Sequence, residues 1–223
     1  SAVLDIVYNP SVTELLYRAE TLGIPCSDGL PMLVAQAKAA EEHFFDRTIA
    51  DCENERILAQ LRREMTNLVL IGMPGSGKST VGAALTGREA IDIDARIAEK
   101  AGCSIPEIFA KGGETAFRAL EREATAACGA LSGKLLLTGG GVVKTPENYA
   151  ALHQNGRIYQ LLRPLELLPT DGRPLSQGAD LAAMWAERAP LYERFRDAAI
   201  DNSGTVEQTA QAIWRDFCEN SGH

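Results

Sequence analysis

Short apolar runs alternate along most of the chain with longer stretches whose apolar positions recur every three or four residues. Residues 68–71 are uninterrupted apolar, as expected of a parallel strand buried on both faces, and the shorter apolar stretches within 90–93, 134–137 and 156–161 also predict strands. Residues 104–109, 114–128 and 206–217 carry helical periodicity, and Ser104 with Glu107 forms the pattern of a capping box. Strands alternating with amphipathic helices predict an α/β fold with a parallel sheet flanked by helices.

The first 66 residues have a different rhythm. Residues 3–8 predict a strand stopped by Asn9-Pro10, Ser11 with Glu14 predicts a helix start running through Leu22, and a turn at Asp28-Gly29 leads into a third element from Pro31. Residues 51–65 are charged, with Ile57, Leu58, Leu61 and Met65 at helical spacing, and predict a connecting helix. The expected organisation is a small strand–helix–helix extension over 1–50, a linker helix over 51–66 and the main unit over 67–223.

The 223 residues are 45% hydrophobic and 23% charged, enough for a substantial core. No apolar run approaches the roughly 18 residues of a membrane span, and no basic segment leads into an apolar one at the start, so a cytoplasmic protein without membrane contact is expected. The five cysteines form no C-x-x-C pair and read as reduced structural thiols. A net charge of −8 argues against general affinity for nucleic acid, while leaving room for one basic pocket that binds an anion.

The chemistry begins where the strand at 68–71 breaks. Gly72, Gly77, Lys78 and Ser79 meet the spacing G-x-x-x-x-G-K-[ST] of a phosphate-binding loop. Gly75 and Ser76 complete the turn, and Thr80 starts the following helix. Glycines there would let backbone N–H groups curl around a phosphate, Lys78 would reach the β- and γ-phosphates of a nucleotide, and Ser79 would ligate Mg²⁺. The strand at 134–137 holds no acidic residue and runs into Gly139-Gly140-Gly141, and no N-K-x-D signature follows. Both features favour a small kinase over a motor or a switch.

Two further features concern the acceptor. In "AIDIDARI", Asp92 and Asp94 lie two apart, and on a strand both carboxylates would leave one face near its C-terminal end. One would serve Mg²⁺ through water and the other would accept a proton from an attacking hydroxyl. In "FAKGGETAFRALE", Arg118 stands between Glu114 and Glu121, with Phe109 and Phe117 nearby. This reads either as a surface ion pair or as an arginine in a partly apolar pocket, able to grip a carboxylate with two parallel hydrogen bonds.

With "DID", "FRALE", "GGG", "GRPL" and "RAPLY" following the phosphate loop in that order, residues 68–217 resemble shikimate kinase. The resemblance implies a P-loop fold of the nucleoside-monophosphate-kinase type, ATP with Mg²⁺, and transfer to the 3-hydroxyl of shikimate. It implies that Asp94 contacts the reacting hydroxyl, Asp92 serves the magnesium shell, and Arg118 and Arg188 hold the substrate carboxylate. Gly140 and Gly141 would then line the ring, beside Phe109 and Phe117, and Arg173 would be the lid arginine. Two segments are shorter than the family's pattern: between Lys78 and Asp92, implying a truncated first helix, and 162–172, where the adenine-stacking arginine has no counterpart and Leu167 or Leu168 is expected to cover the base. Residues 3–45 are similar to the C-terminal end of shikimate dehydrogenase, with Tyr8 and Gln36 matching residues at that family's site. The chain thus reads as a dehydrogenase remnant fused to a kinase, or as a kinase with a helical extension that merely packs, and its N-terminal faces are expected to dock on the kinase, pair with a second copy or stay mobile. A gluconate or nucleotide kinase, or a nucleotide-binding scaffold without activity, are the competing readings. "FRALE" and "RAPLY" argue against the first, and the intact charged residues against the second.

Overall fold

A computed structural model describes residues 1–168 and 181–220. The N-terminal segment opens with β1 (Val3–Leu4), α1 (Glu14–Thr21), β2 (Cys26–Ser27) and α2 (Leu30–Phe45). β1 pairs with β2 in parallel as a two-stranded ribbon, so the strand expected over 3–8 is only two residues long. The cap of α1 is Thr13 rather than Ser11. Thr13 accepts from the Leu16 N–H, while the Ser11 hydroxyl donates instead to the carbonyl of Gln154, far along the chain. α3 (Asp51–Met65) is the expected connecting helix, with acidic residues in its first turn and Arg62 and Arg63 in its last, complementing the helix dipole.

The main unit follows as β3 (Asn67–Ile71), α4 (Lys78–Ala84), β4 (Ala90–Asp92), α5 (Ile93–Ala101), α6 (Ile105–Gly129), β5 (Leu135–Leu137), α7 (Glu147–His153), β6 (Gly156–Leu162), α8 (Leu181–Phe195), β7 (Ala198–Asp201) and α9 (Val206–Asn220). Among the described residues these strands form one five-stranded parallel sheet, ordered β4-β5-β3-β6-β7. β3 lies at its centre and every residue of it is buried, which is why its sequence is continuously apolar after Asn67. Helices cover both faces. One core gathers Val69, Ile71, Ile97, Phe117, Leu152 and Tyr192, and the other Leu68, Leu70, Val81, Tyr159, Ile213 and Phe217.

Several local features follow from single residues. The capping box of Ser104 and Glu107 starts α6, with Ser104 N donating to Glu107 Oε2 over 2.8 Å. α6 breaks at Gly113, whose φ of 66° and ψ of −169° only glycine adopts freely, so two helices meet there as the sequence pattern implied. α4 is a helix of seven residues.

The N-terminal segment packs at the edge of the sheet where the strands begin. Ser11 N donates to Asn155 Oδ1 over 2.8 Å, Val12 N donates to the Gln154 carbonyl over 2.9 Å, and Asn155 directly precedes β6. Tyr17 of α1 stands 6.1 Å from Tyr149 and 6.3 Å from His153, both on α7, and Glu20 pairs with His153 at 3.2 Å. Leu16 and Ala19 of α1, which packs on β1 and β2, are buried, whereas Leu15 and Leu22 remain exposed. α2 and α3 pack beside each other and flank a groove of about 610 Å³ lined by Leu33, Val34, Ile57 and Leu61.

Candidate active site

All parallel strands place their C-terminal ends at one edge, where α/β sheets bind ligands. The phosphate loop leaves β3 there. Gly72, Gly75 and Gly77 have φ of 147°, 85° and 94°. At Gly72 a Cβ would stand 2.9 Å from both the Leu161 carbonyl oxygen and Ser76 Oγ, so the loop closes too tightly for any side chain. Lys78 Nζ donates to the carbonyls of Gly72 at 2.8 Å and Met73 at 3.0 Å, which folds the ammonium over the loop. Ser79 and Thr80 are exposed in the first turn of α4.

The loop is braced from the far side by Asn202, a residue that sequence reasoning missed. Its amide donates to the Ser76 carbonyl over 2.6 Å, its Oδ1 accepts from Thr209 Oγ1 at 2.8 Å, and its N–H donates to the Leu162 carbonyl at 2.7 Å. Nothing local marks it, because its partners come from β6, the phosphate loop and α9.

The acceptor residues stand on the β4–β5 side. Here one expectation is corrected: Asp92 and Asp94 do not share a strand face. β4 ends at Asp92, whose carboxylate accepts from the Ala95 N–H at 3.2 Å and caps α5, and Asp94 lies in the first turn of that helix. Asp94 nonetheless reaches the glycine turn after β5, its Oδ1 lying 2.7 Å from where a Cβ on Gly139 would be. Gly140 packs equally closely on Pro74 of the phosphate loop, and Gly141 on the Arg118 guanidinium. The three glycines thus let the acceptor groups and the phosphate loop meet.

Arg118 is no surface pair. Its Nη1 donates to Glu121 at 2.7 Å, its Nε and Nη2 hold Glu114 at 3.2 and 3.0 Å, and its Cζ lies 5.2 Å from the Phe117 ring centroid. The Glu121 carboxylate is buried, which pushes its pKa up even against Arg118. Burial also works against the Arg118 charge, but Glu121 and Glu114 outweigh it and hold the guanidinium more firmly protonated than usual. Lys144 reaches Glu114 at 3.0 Å and Glu187 at 3.3 Å, tying this cluster to α8. Phe109 and Phe117 stack at 4.7 Å, with Phe117 in the core.

From α8, Arg188 Nη1 donates to the Gly140 carbonyl at 3.1 Å and Tyr192 Oη to the same oxygen at 2.5 Å. Burial pushes the Tyr192 hydroxyl well above the ordinary tyrosine value, so it remains a donor. Arg188 Nε, Glu121 Oε1 and Ser76 Oγ are among the buried side-chain atoms without a hydrogen-bond partner among the described residues. Two of these are a cationic donor and a carboxylate acceptor in one cup, matching a ligand that carries both a carboxylate and hydroxyls.

Glu121 and Tyr192 belong to this cup although the sequence singled out neither as a site residue. The only local signal was Glu121 at i+3 from Arg118, which cannot tell a buried pair from an exposed one. Arg173 lies outside the described residues. Leu168 is buried in the core, while Leu167 is exposed.

The main unit matches the family model described as shikimate kinase over residues 74–217. The shikimate kinase of Synechococcus sp. (strain RCC307) is 43% identical over 144 residues, 59% of this chain and 73% of its own length. That of Stenotrophomonas maltophilia (strain R551-3) is 40% identical over 161 residues, 66% of this chain and 89% of its own. The solved structure of shikimate kinase from Acinetobacter baumannii in complex with shikimate superposes with a TM-score of 0.64 at 31% identity, covering 73% of this chain and 98% of that one. The shikimate kinase from Aquifex aeolicus vf5 gives 0.63 at 27% identity, covering 71% and 100%. The sheet and flanking helices are therefore those of the P-loop kinase fold expected from the sequence.

Proposed function

Since the chain belongs to the shikimate kinase family and phosphorylates shikimate with ATP, we propose that the acceptor lies in the cup of Asp94, Arg118, Arg188 and the turn from Gly139 to Gly141. The observation that carries this is the pair of buried, unpartnered groups, Arg188 Nε and Glu121 Oε1, beside Arg118. Arg118 and Arg188 hold the substrate carboxylate, the first fixed in orientation by Glu121 and Glu114. Gly140 and Gly141, with Phe109 and Phe117, line the ring. Asp94 accepts the proton of the 3-hydroxyl as its oxygen attacks the γ-phosphorus and the bond to the β-phosphate oxygen breaks.

The phosphate loop fits ATP: Gly72, Gly75, Ser76, Gly77 and Thr80 wrap the phosphates, and Lys78 neutralises charge that develops at the γ-phosphate. Ser79 and Asp92 would hold Mg²⁺, the exposed hydroxyl directly and the carboxylate through water, a donor set of oxygens that suits a hard cation. Magnesium supplies charge neutralisation between the β- and γ-phosphates when bound. The place of Arg173 in "GRPL" supports reading it as the lid arginine. For the N-terminal segment, the likeness of residues 3–45 to the C-terminal end of shikimate dehydrogenase supports its reading as a remnant of that enzyme, although its order is strand–helix–strand–helix, with β2 between α1 and α2, rather than strand–helix–helix. The exposed Met32, Leu33, Phe44 and Phe45 support self-association through α2.

Shikimate, quinate, gluconate and, as acceptors without a carboxylate, nucleoside monophosphates, each offered with ATP and Mg²⁺, test the acceptor, read as ADP release and a phosphate mass gain. Shikimate should turn over best. A substrate lacking a carboxylate that turned over equally well would overturn the role given to Arg118 and Arg188.

A further inference from the structure

The sheet order separates the two ends of the nucleotide. The acceptor groups follow β4 and β5, on one side of the phosphate loop, so the γ-phosphate must point that way. The α-phosphate and nucleoside must then extend over β6 and β7. Two side chains stand at the C-terminal ends of those strands: Asn202, already occupied in bracing the loop, and Arg163, which directly follows β6. Arg163 Nη1 lies 3.7 Å from the position that a Cβ on Gly77 would take. No carboxylate of a described residue pairs with it, and the side chain is exposed at the loop.

Its backbone is anchored on both sides. Leu162 is paired in register with Asp201, and Pro164 opens a short 3-10 helix, Leu165–Leu167, that ends at the buried Leu168. The guanidinium therefore leaves a fixed point. Lys78 serves the other side of the loop, toward the Gly72 and Met73 carbonyls, so the two cations bracket the phosphate chain from opposite ends.

We propose that Arg163 is a nucleotide-binding residue that holds the α-phosphate of ATP, opposite the acceptor. The inference rests on the reading that the loop holds ATP. It gives the chain a phosphate-binding cation on the β6 side that does not depend on the segment after Leu168. An arginine suits the place because its planar fork can bond a non-bridging phosphate oxygen while its position at the strand end keeps the entropy of ordering small.

The test is ADP binding by calorimetry on the full chain, with inorganic tripolyphosphate as a competitor, for wild type, Arg163→Ala and Arg163→Lys. Loss of a charge-assisted hydrogen bond predicts that Arg163→Ala weakens ADP about tenfold and tripolyphosphate similarly, leaving shikimate affinity unchanged. Arg163→Lys should bind ADP more weakly than wild type but more tightly than Arg163→Ala, since the charge remains while the planar fork is lost. ADP binding by Arg163→Ala equal to wild type overturns the proposal. So does a loss confined to ADP with tripolyphosphate unaffected, or a lysine variant as weak as the alanine one, because either would put the guanidinium on the base. Wild type failing to bind ADP at all would be a different result, removing the phosphate-loop reading itself. Thermal melting of the ligand-free variants separates a folding defect from a binding one, and Arg163→Gln takes the place of the alanine variant if that one melts early.

Discussion

Arg118 Nη1 and Glu121 Oε2 stand 2.7 Å apart, one turn apart on α6, with only 2% of the Glu121 side chain exposed. A carboxylate this deeply buried is tolerated because the guanidinium compensates it, and in return it fixes which edge of the guanidinium faces the cup. Truncating one member of such a pair leaves the other buried without its partner. Glu121→Ala should therefore cost about 3 kcal/mol in urea denaturation and also weaken shikimate binding. Glu121→Gln, which keeps the volume and one acceptor, should lose less of both. Wild-type stability in the alanine variant would mean that Arg118 is held by Glu114 alone.

The contact between Gly139 and Asp94 gives a second test. A methyl group at Gly139 would sit 2.7 Å from Asp94 Oδ1. Gly139→Ala should push the carboxylate off the reacting hydroxyl and lower kcat about 100-fold, the penalty for a misplacement of about 1 Å. ADP affinity should hold. Asp94→Asn should act in the same direction through chemistry rather than geometry, with a loss in kcat of at least about 100-fold. Near-normal kcat in both variants would remove Asp94 from the role of proton acceptor.

Glu114 carries a pH dependence. Lys144 first and Arg118 second hold its carboxyl below the ordinary glutamate value of 4.5. A group whose pKa is depressed on folding adds stability above its unfolded value, and that stability is lost as pH falls through the folded one. The side chain is half exposed, so the effect at neutral pH is small, at most about 1 kcal/mol. Melting curves of wild type and Glu114→Gln should therefore differ at pH 7, and the difference should shrink as pH falls below the ordinary glutamate value of 4.5 and through the depressed folded one. A difference that stays constant down to pH 3 would show that the glutamine acts through packing.

The sequence reading and the structure part company where a side chain's partners come from several elements. The phosphate loop was legible because its spacing and flanking strand are contiguous, and the break in α6 was legible because Gly112-Gly113 interrupts the periodicity locally. "AIDID" alternates with the period of a strand, but the cap made by Asp92 ends the strand and starts α5, so Asp94 reaches the site from a helix. Ser11 and Thr13 are both competent caps, and the choice was made by the remote Gln154 carbonyl that takes the Ser11 hydroxyl. Asn202 was invisible for the same reason, its three contacts arising from three parts of the chain.

The N-terminal segment docks at the end of the sheet opposite the site, and this fixes what its removal should do. Its contacts fall on α7, on Gln154 and Asn155 before β6, and on Ser132 before β5, where the strands begin. The phosphate loop, Asp94 and Arg188 all lie at or beyond the strands' C-terminal ends. None of its buried apolar residues, Leu16, Ala19, Leu30 or Val34, belongs to either core of the main unit. A chain starting at Asp51 keeps α3 and the contact from Gly133 N to the Met65 carbonyl that ties it to the sheet. It should fold, with shikimate phosphorylation within about threefold of the full chain. The segment itself should not fold alone, because a two-residue ribbon and two helices bury too little to offset backbone ordering of roughly 1 to 2 kcal/mol per residue. Circular dichroism of residues 1–50 and kinetics of the shortened chain measure both halves. If the shortened chain folds but loses phosphoryl transfer, the docked segment contributes to the site through α7 and β6, and its reading as a passenger is wrong.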